Sequence, residues 1–306
     1  MTAETADVFE ELRPLLFSIA YRMLGSVVEA EDVVQDAFLR FQRAVEDGTE
    51  IESPKAYLSA TATRLAIDQL RSARKRRERY VGTWLPEPLV TGAEPDAVQH
   101  AETADSLSLA LLVVLESLSP VERAVFLLRE VFDYDYGEIA RIVGKSEDNT
   151  RQLAVRARRH VDERRPRFEA SRRQRDELAR RFFTAVDTGD TESLVSMLAA
   201  DVVLYGDGGG KAPAIPRPIF GRDDVGKVLA GWIGQGHRAG ARLEPVEING
   251  QPGARAVAPD GRLISVLSLD IAGGLVQAVH SIINPEKLAH LGPVADARRL
   301  LRESRT

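Results

Sequence analysis

The chain has no cysteine among its 306 residues, which excludes disulfides, Cys-ligated zinc and a thiol nucleophile and is compatible with a reducing cytosol. Histidine is scarce, at 5 residues, leaving little material for acid–base chemistry. No run approaches the ~20 apolar residues of a spanning helix. The segment from Met1 to Glu11 is acidic and lacks the basic stretch and apolar core of a secretory signal. A soluble cytoplasmic protein without a membrane partner is expected. The length predicts two or three domains of ~100 residues each.

A net charge of −5 would argue against a polyanionic partner, but what binds phosphate is a local stripe of Lys and Arg. Residues 54 to 80 carry 8 Lys and Arg against 2 Asp and Glu, and residues 134 to 175 carry 12 against 7. These segments read as two DNA contacts in series. Ser53 and Pro54 supply an N-cap and a first helical residue for the first of them. That helix runs through Tyr57, Arg64, Asp68 and Leu70 into Arg71, Arg74, Lys75, Arg76 and Arg77, more cations than a helix dipole needs. A solvated tail is the alternative.

Upstream, apolar residues from Phe9 to Met23 and from Val33 to Phe41 recur at helical spacing around a break at Gly25 and Ser26. The second of these helices leaves Glu31, Asp32, Gln35 and Asp36 facing outward, which on its own reads as a solvated face. Gly82, Pro86, Pro88, Gly92 and Pro95 mark a linker. Within it, Trp84-Leu85-Pro86-Glu87-Pro88 is too apolar for a free tether, so the linker is expected to dock on a surface. Ser119 and Pro120 then open a helix. Tyr136 to Val143, the turn at Gly144, the cap Ser146 and a basic helix from Glu147 to Arg159 form a helix-turn-helix pattern, with small Ala140 at the crossing. An ordinary helix pair is the plainer reading. Beyond Arg172, helices to Val186 and from Thr191 to Ala199 precede β-rich stretches at 202–205, 241–248, 254–258, 263–271 and 275–283, a separate α+β domain.

Leu16 to Gly25 followed by Ala30-Glu31-Asp32-Val33-Val34-Gln35-Asp36-Ala37-Phe38-Leu39 resembles the second conserved region of bacterial extracytoplasmic-function (ECF) sigma factors, and the helix-turn-helix resembles their fourth. Trp84 to Pro88, Asp207-Gly208-Gly209-Gly210-Lys211 and Asn284-Pro285-Glu286-Lys287-Leu288 further resemble the subgroup with a C-terminal SnoaL-like domain of the NTF2-like fold. The resemblance implies a multidomain protein: an all-α region two at 1–80, a linker at 81–103, an all-α region four at 104–167, an α+β SnoaL-like domain at 172–290 and a tail at 291–306. It also implies that Glu31, Asp32, Gln35, Asp36, Phe38 and Leu39 meet the β′ clamp helices of core RNA polymerase, with region four near the β flap. Tyr57, Arg64, Asp68, Arg71, Arg74 and Lys75 would recognise and open the −10 element, an extruded base being held by the loop before Pro54. Ser146, Asn149, Arg151, Gln152, Arg156, Arg158 and Arg159 would serve the −35 element, with Asn149, Arg151 and Gln152 reaching bases and the later arginines phosphates. The three subgroup motifs, Trp84 to Pro88, Asp207 to Lys211 and Asn284 to Leu288, would make regulatory interdomain contacts.

Asp207 to Ala212 is no phosphate loop: Tyr205 stands where that motif needs its first Gly and Ala212 where it needs Ser or Thr. Relatives of the C-terminal domain use a pocket for chemistry, and Tyr205, Asp207, His237 and His280 are candidate lining residues for an unidentified small ligand. No cofactor or metal is expected. Two other readings stay open: a stand-alone helix-turn-helix regulator, and an enzyme using the C-terminal pocket.

Overall fold

The structure, a computed structural model, describes residues 3–77, 79–91, 106–163 and 172–303, with side chains given for 7–72, 79–91, 106–163 and 172–303. The chain divides into two compact units, Met1–Arg79 with Leu112–Arg165, and Tyr80–Leu111 with Pro166–Thr306.

The first unit is helical. Its α1 (Ala3–Leu24), α2 (Val27–Glu46) and α3 (Pro54–Arg77) pack on Leu16, Ala20, Met23, Val33, Phe41, Leu58 and Ala66, all buried. Small Ala20, Ala37, Ala62 and Ala66 at the crossings let the helix axes approach closely. After α4 (Leu109–Leu115) come α5 (Pro120–Glu130), α6 (Tyr136–Val143) and α7 (Glu147–Asp162). Capping boxes open α5 at Ser119 with Glu122 and α6 at Asp135 with Glu138, each contributing about 1 kcal/mol. Gly144, at φ 67°, ends α6 in the left-handed region, and Ser146 accepts the Asn149 N–H to start α7. These positions realise the expected turn and cap. Thr150 is fully buried, and its hydroxyl donates to the Ser146 carbonyl at 2.9 Å.

The second unit is built on a seven-stranded sheet of order β1-β4-β5-β6-β7-β2-β3. The strands are β1 (Val90–Thr91), β2 (Leu198–Asp207), β3 (Ile219–Phe220), β4 (Arg242–Ile248), β5 (Gln251–Val257), β6 (Leu263–Ala272) and β7 (Leu275–Ile282). Among the named strands of the described residues, β2 and β7 alone pair in parallel. On one face lie α8 (Arg172–Thr188), α9 (Thr191–Ser196) and α10 (Arg222–Arg238), whose Phe182, Leu194, Val225 and Leu229 pack on Leu198, Leu204, Leu269 and Val279. Two short elements, α11 (Pro285–Leu288) and a 3-10 turn at Ala289–Leu291, precede α12 (Ala297–Glu303).

Three expectations need correction. The helix expected to reach Ala199 stops at Ser196, because the Met197 carbonyl and Leu198 already pair with Val276 in the sheet. α10 lies where no element was expected. The expected tail begins against the sheet: Leu263 donates to the Pro293 carbonyl and accepts from Ala295, adding a bridge at Val294.

Candidate nucleic-acid interface and linker latch

The outward face of α2 forms as expected. Ala30, Val33, Val34, Ala37 and Phe41 are buried, which turns Asp32, Gln35 and Asp36 to solvent. Glu31 is half-buried and pairs with Arg13 at 2.7 Å. Leu39 is exposed, whereas Phe38 is half-buried against Phe9, ring centroids 4.1 Å apart, so part of its surface serves the fold.

On α3, Tyr57 is half-buried beside Phe41, with centroids 5.9 Å apart. Asp68 and Arg71 form an exposed pair at 2.9 Å. The side chains of Arg74 and Lys75 lie outside the described residues. Arg64 is engaged elsewhere in its unit: its guanidinium donates to the carbonyls of Ile142 at 2.9 Å and Arg141 at 2.8 Å, at the C-terminal end of α6. A helix C-terminus carries unsatisfied carbonyls and partial negative charge, so a guanidinium fork fits it. Two buried arginines reinforce the same packing. Arg123 of α5 donates to the Arg22 carbonyl at 3.0 Å and pairs with Glu116. The Arg22 side chain bonds Ser18, and burial lowers its pKa to about 10.

On α7, Thr150, Ala154, Ala157 and Val161 face the core, so Arg151, Gln152, Arg156, Arg158 and Arg159 all project outward. Ser146 serves as the cap and Asn149 is half-exposed beside it. Arg151 is held by Glu147 one turn earlier and by the Tyr136 ring, 4.7 Å to the centroid. Arg158 pairs with Glu130, and Arg159 with Glu163 at 2.9 Å. These are exposed pairs of small net worth, readily exchanged for phosphates.

In the second unit the three subgroup motifs converge. Asp207, at the end of β2, is fully buried. Its carboxylate accepts the Tyr80 hydroxyl at 2.5 Å, the Leu85 backbone N–H at 2.8 Å and the Lys287 ammonium at 2.7 Å. Lys287 also donates to the Leu85 carbonyl and sits over the rings of Trp84, at 4.3 Å, and Tyr80, at 4.8 Å. A carboxylate and an ammonium can share this buried place only because each is paired and hydrogen-bonded. Burial, then the bond to Asp207, raises the Tyr80 pKa well above its ordinary value. Asn284 donates to the Tyr80 oxygen at 2.8 Å and caps α11.

The glycines between Asp207 and Lys211 are required by space. A Cβ on Gly208 would meet the Ala212 carbonyl oxygen at 2.4 Å, and one on Gly209, at φ 56°, would meet the Asn284 amide at 2.3 Å. Lys211 pairs with Glu286, tying this loop to α11. Further along the linker Leu85, Pro86, Glu87 and Pro88 are buried, and His290 bonds the Pro88 carbonyl at 2.9 Å. Leu288 is buried beneath this layer.

Sequence reasoning did not single out Tyr80 or Asn249. Asn249, at φ 52° in the β4–β5 turn, accepts the Leu89 N–H at 2.9 Å, returns its own N–H to the Leu89 carbonyl at 2.8 Å and donates from its amide to Leu107 at 3.0 Å. It therefore holds the chain at Leu89 within the linker and again at Leu107 just after it, and β1 adds the linker to the edge strand β4. The Asn249-Gly250 dipeptide was the available signal, since that pair favours a tight hairpin turn. Residues 92 to 103 of the expected linker lie outside the described residues.

The expected pocket lining needs correction too. A cavity of about 190 Å³ lies between the sheet and its helices, lined by Phe182, Leu229, Trp232, Leu267, Val279 and Ser281 among others. His237 borders it, but Tyr205, Asp207 and His280 do not. Strand residues alternate faces, so with Gly206, Val279 and Ser281 lining the cavity, these three belong to the opposite face. His280 there pairs with Asp270 at 2.8 Å and stacks on Tyr205, centroids 5.1 Å apart.

The Sigma-70 region 2 family model matches residues 8–76 and the Sigma-70, region 4 model residues 108–161. The chain is 37% identical to the ECF RNA polymerase sigma factor SigJ of Mycobacterium tuberculosis, over 91% of each chain. It is 33% identical to a probable ECF RNA polymerase sigma factor, SigI, of the same organism, over 90% of this chain and 92% of the relative. The crystal structure of the M. tuberculosis SigJ protein superposes with a TM-score of 0.74 at 35% identity, covering 93% of this chain and 98% of that one. With two helical modules matching regions two and four and a sheet-rich C-terminal domain held to the linker between them, the chain belongs to the ECF RNA polymerase sigma factors.

Proposed function

We propose that this sigma factor is restrained in cis by its C-terminal domain, which clasps the linker joining its two promoter-reading regions. As a member of the family the chain works with core RNA polymerase in promoter-specific initiation, so the catalytic chemistry is the polymerase's, and neither the stand-alone regulator nor the enzyme reading is favoured. It acts in the cytoplasm, where the polymerase is; no helix among the described residues is long and apolar enough to cross a membrane.

The exposed Asp32, Gln35 and Asp36 of α2 suit docking on the β′ clamp helices, and region four suits the β flap. The outward row on α7 suits the −35 major groove, with Asn149, Arg151 and Gln152 at bases and Arg156, Arg158 and Arg159 at phosphates. α3 and the loop before Pro54 suit the −10 element. One observation carries the regulatory reading: Asp207 holds Tyr80, Leu85 and Lys287 in one buried cluster. With Asn249 holding Leu89 and Leu107 as well, the 23 residues from Leu85 to Leu107 are pinned at both ends. A free linker of that length would span up to ~70 Å. Run-off transcription with purified core polymerase, comparing the natural chain with one shortened before Asn284, tests the reading, and unchanged promoter output would remove the regulatory role.

A further inference from the structure

We infer that the C-terminal cavity is a sensor for a neutral, largely apolar small molecule, and that an occupant tightens the linker latch. This rests on the proposed latch but concerns the other face of the same strand. The cavity, about 190 Å³, is somewhat larger than the ~150 Å³ apolar cavity known to hold benzene, so a skeleton of one or two rings fits. Its inner wall is apolar, from Phe182, Leu229, Trp232, Leu267 and Val279. The charged residues that border it, Asp187 and Arg242, are exposed, and Arg242 is paired with Glu244 at 3.1 Å. A carboxylate or ammonium inside would lose its water without gaining a counter-ion, so the ligand is uncharged.

The wall does hold polar atoms. Ser281 and Ser265, 7% and 9% exposed on the neighbouring strands β7 and β6, both line the cavity. Both belong to the cavity wall and a hydroxyl can donate or accept, so these two are placed to meet a hydroxyl or carbonyl on an otherwise apolar ligand.

The coupling runs through one short segment. Gly206 lines the cavity while Asp207, the next residue, holds the linker, and the far side of the same loop returns to the cavity at Pro213 and Ala214. α12 contributes Ala297, Leu300 and Leu301 to the cavity wall. Arg298 of that helix donates to the Gly210 carbonyl at 2.8 Å, and Gly210 lies beside Val81 of the linker, whose Cβ would be 3.2 Å from a Cβ added at that glycine. A molecule touching Gly206, Ala214 and Leu300 therefore binds the latched arrangement and not the open one. By linkage it protects the latch, and the latch strengthens its binding by the same factor.

The test uses the full chain, with naphthol as probe, and needs no transcription, so its failure leaves the latch reading to be judged by its own assay. Calorimetry should show saturable one-to-one binding of naphthol and at least tenfold weaker binding of naphthoate. Amide exchange across residues 80–91 should slow at saturation. Ser281→Ala, a small change that preserves the fold, should weaken naphthol several-fold while sparing naphthalene. Ala256 also lines the cavity, and Ala256→Phe should block it altogether. No saturable binding of naphthol to the folded natural chain, equal binding of naphthoate, or unchanged exchange at 80–91 when saturated would each overturn the inference.

Discussion

The Asp207 carboxylate accepts the backbone N–H of Leu85 at 2.8 Å, although 122 residues separate them in sequence. A side chain of the C-terminal domain thus holds the main chain of the linker, and the interaction depends on the position of Leu85 rather than on its side chain. The consequences centre on the charges gathered there.

Asp207→Ala takes one carboxylate from the buried Lys287 ammonium, and breaking a buried pair from one side costs about 3–5 kcal/mol. Amide exchange over residues 80–91 should accelerate by about a hundredfold or more, while α1 to α3 keep their protection. Adding Lys287→Met should restore part of the loss, because the apolar replacement removes the stranded charge; an additive double variant would show that the two groups act separately.

Tyr80 gives the latch an alkaline limit. Its pKa is raised in the folded state by burial and by Asp207, so the folded chain holds this proton more tightly than the unfolded chain does. The contribution is complete below about pH 10, the ordinary tyrosine value, and is lost as pH rises above it. With Trp232→Phe as background, Trp84 fluorescence followed from pH 8 to 11 should report linker release in the Tyr80 protein. The Tyr80→Phe protein should show a weaker latch, by about 1 kcal/mol, and a smaller alkaline step.

Arg64 cannot hold the Arg141 and Ile142 carbonyls and contact DNA with the same donors. Arg64→Lys keeps the charge for a phosphate but not the fork that spans two carbonyls. It should lower the urea midpoint of the helical unit, by an amount equivalent to about 1–2 kcal/mol, while holoenzyme binding to promoter DNA holds or rises. Arg64→Ala should lose stability and DNA binding together. A lysine variant as stable as the natural chain would mean that the two carbonyl contacts contribute nothing.

On α7 the two classes of contact separate by assay. Arg151→Ala should cost about 1–3 kcal/mol at the cognate −35 element and relax preference there, whereas Arg159→Ala should weaken binding to all sequences and reduce the salt slope by about 1. Equal losses on cognate and scrambled −35 elements for Arg151→Ala would assign it to phosphate.

The helical half was legible because its signals are local. Ser119, Gly144 and Ser146 mark caps and a turn that the chain uses as written. The three subgroup motifs were legible as a set, but their convergence on Asp207 was not, since a pairing 122 residues apart leaves no periodicity. α10 was missed because Gly226, Gly231, Gly234 and Gly236 weaken its helical propensity. Gly226 is nonetheless required there, since a Cβ would meet Val195 Cγ2 at 2.6 Å. The pocket candidates failed on strand alternation: Tyr205 and His280 share a face with Asp207, and only the register of β2 against β7 reveals that this is the linker side.

The most direct measurement is run-off transcription by purified core RNA polymerase from a cognate promoter, comparing the natural chain with Asp207→Ala at equal occupancy of core. The account predicts a higher transcript yield from the variant and tolerance of a wider range of spacings between the −35 and −10 elements, because its linker is free to extend. Identical yield and identical spacing preference, with exchange at residues 80–91 confirmed to be faster, would contradict it.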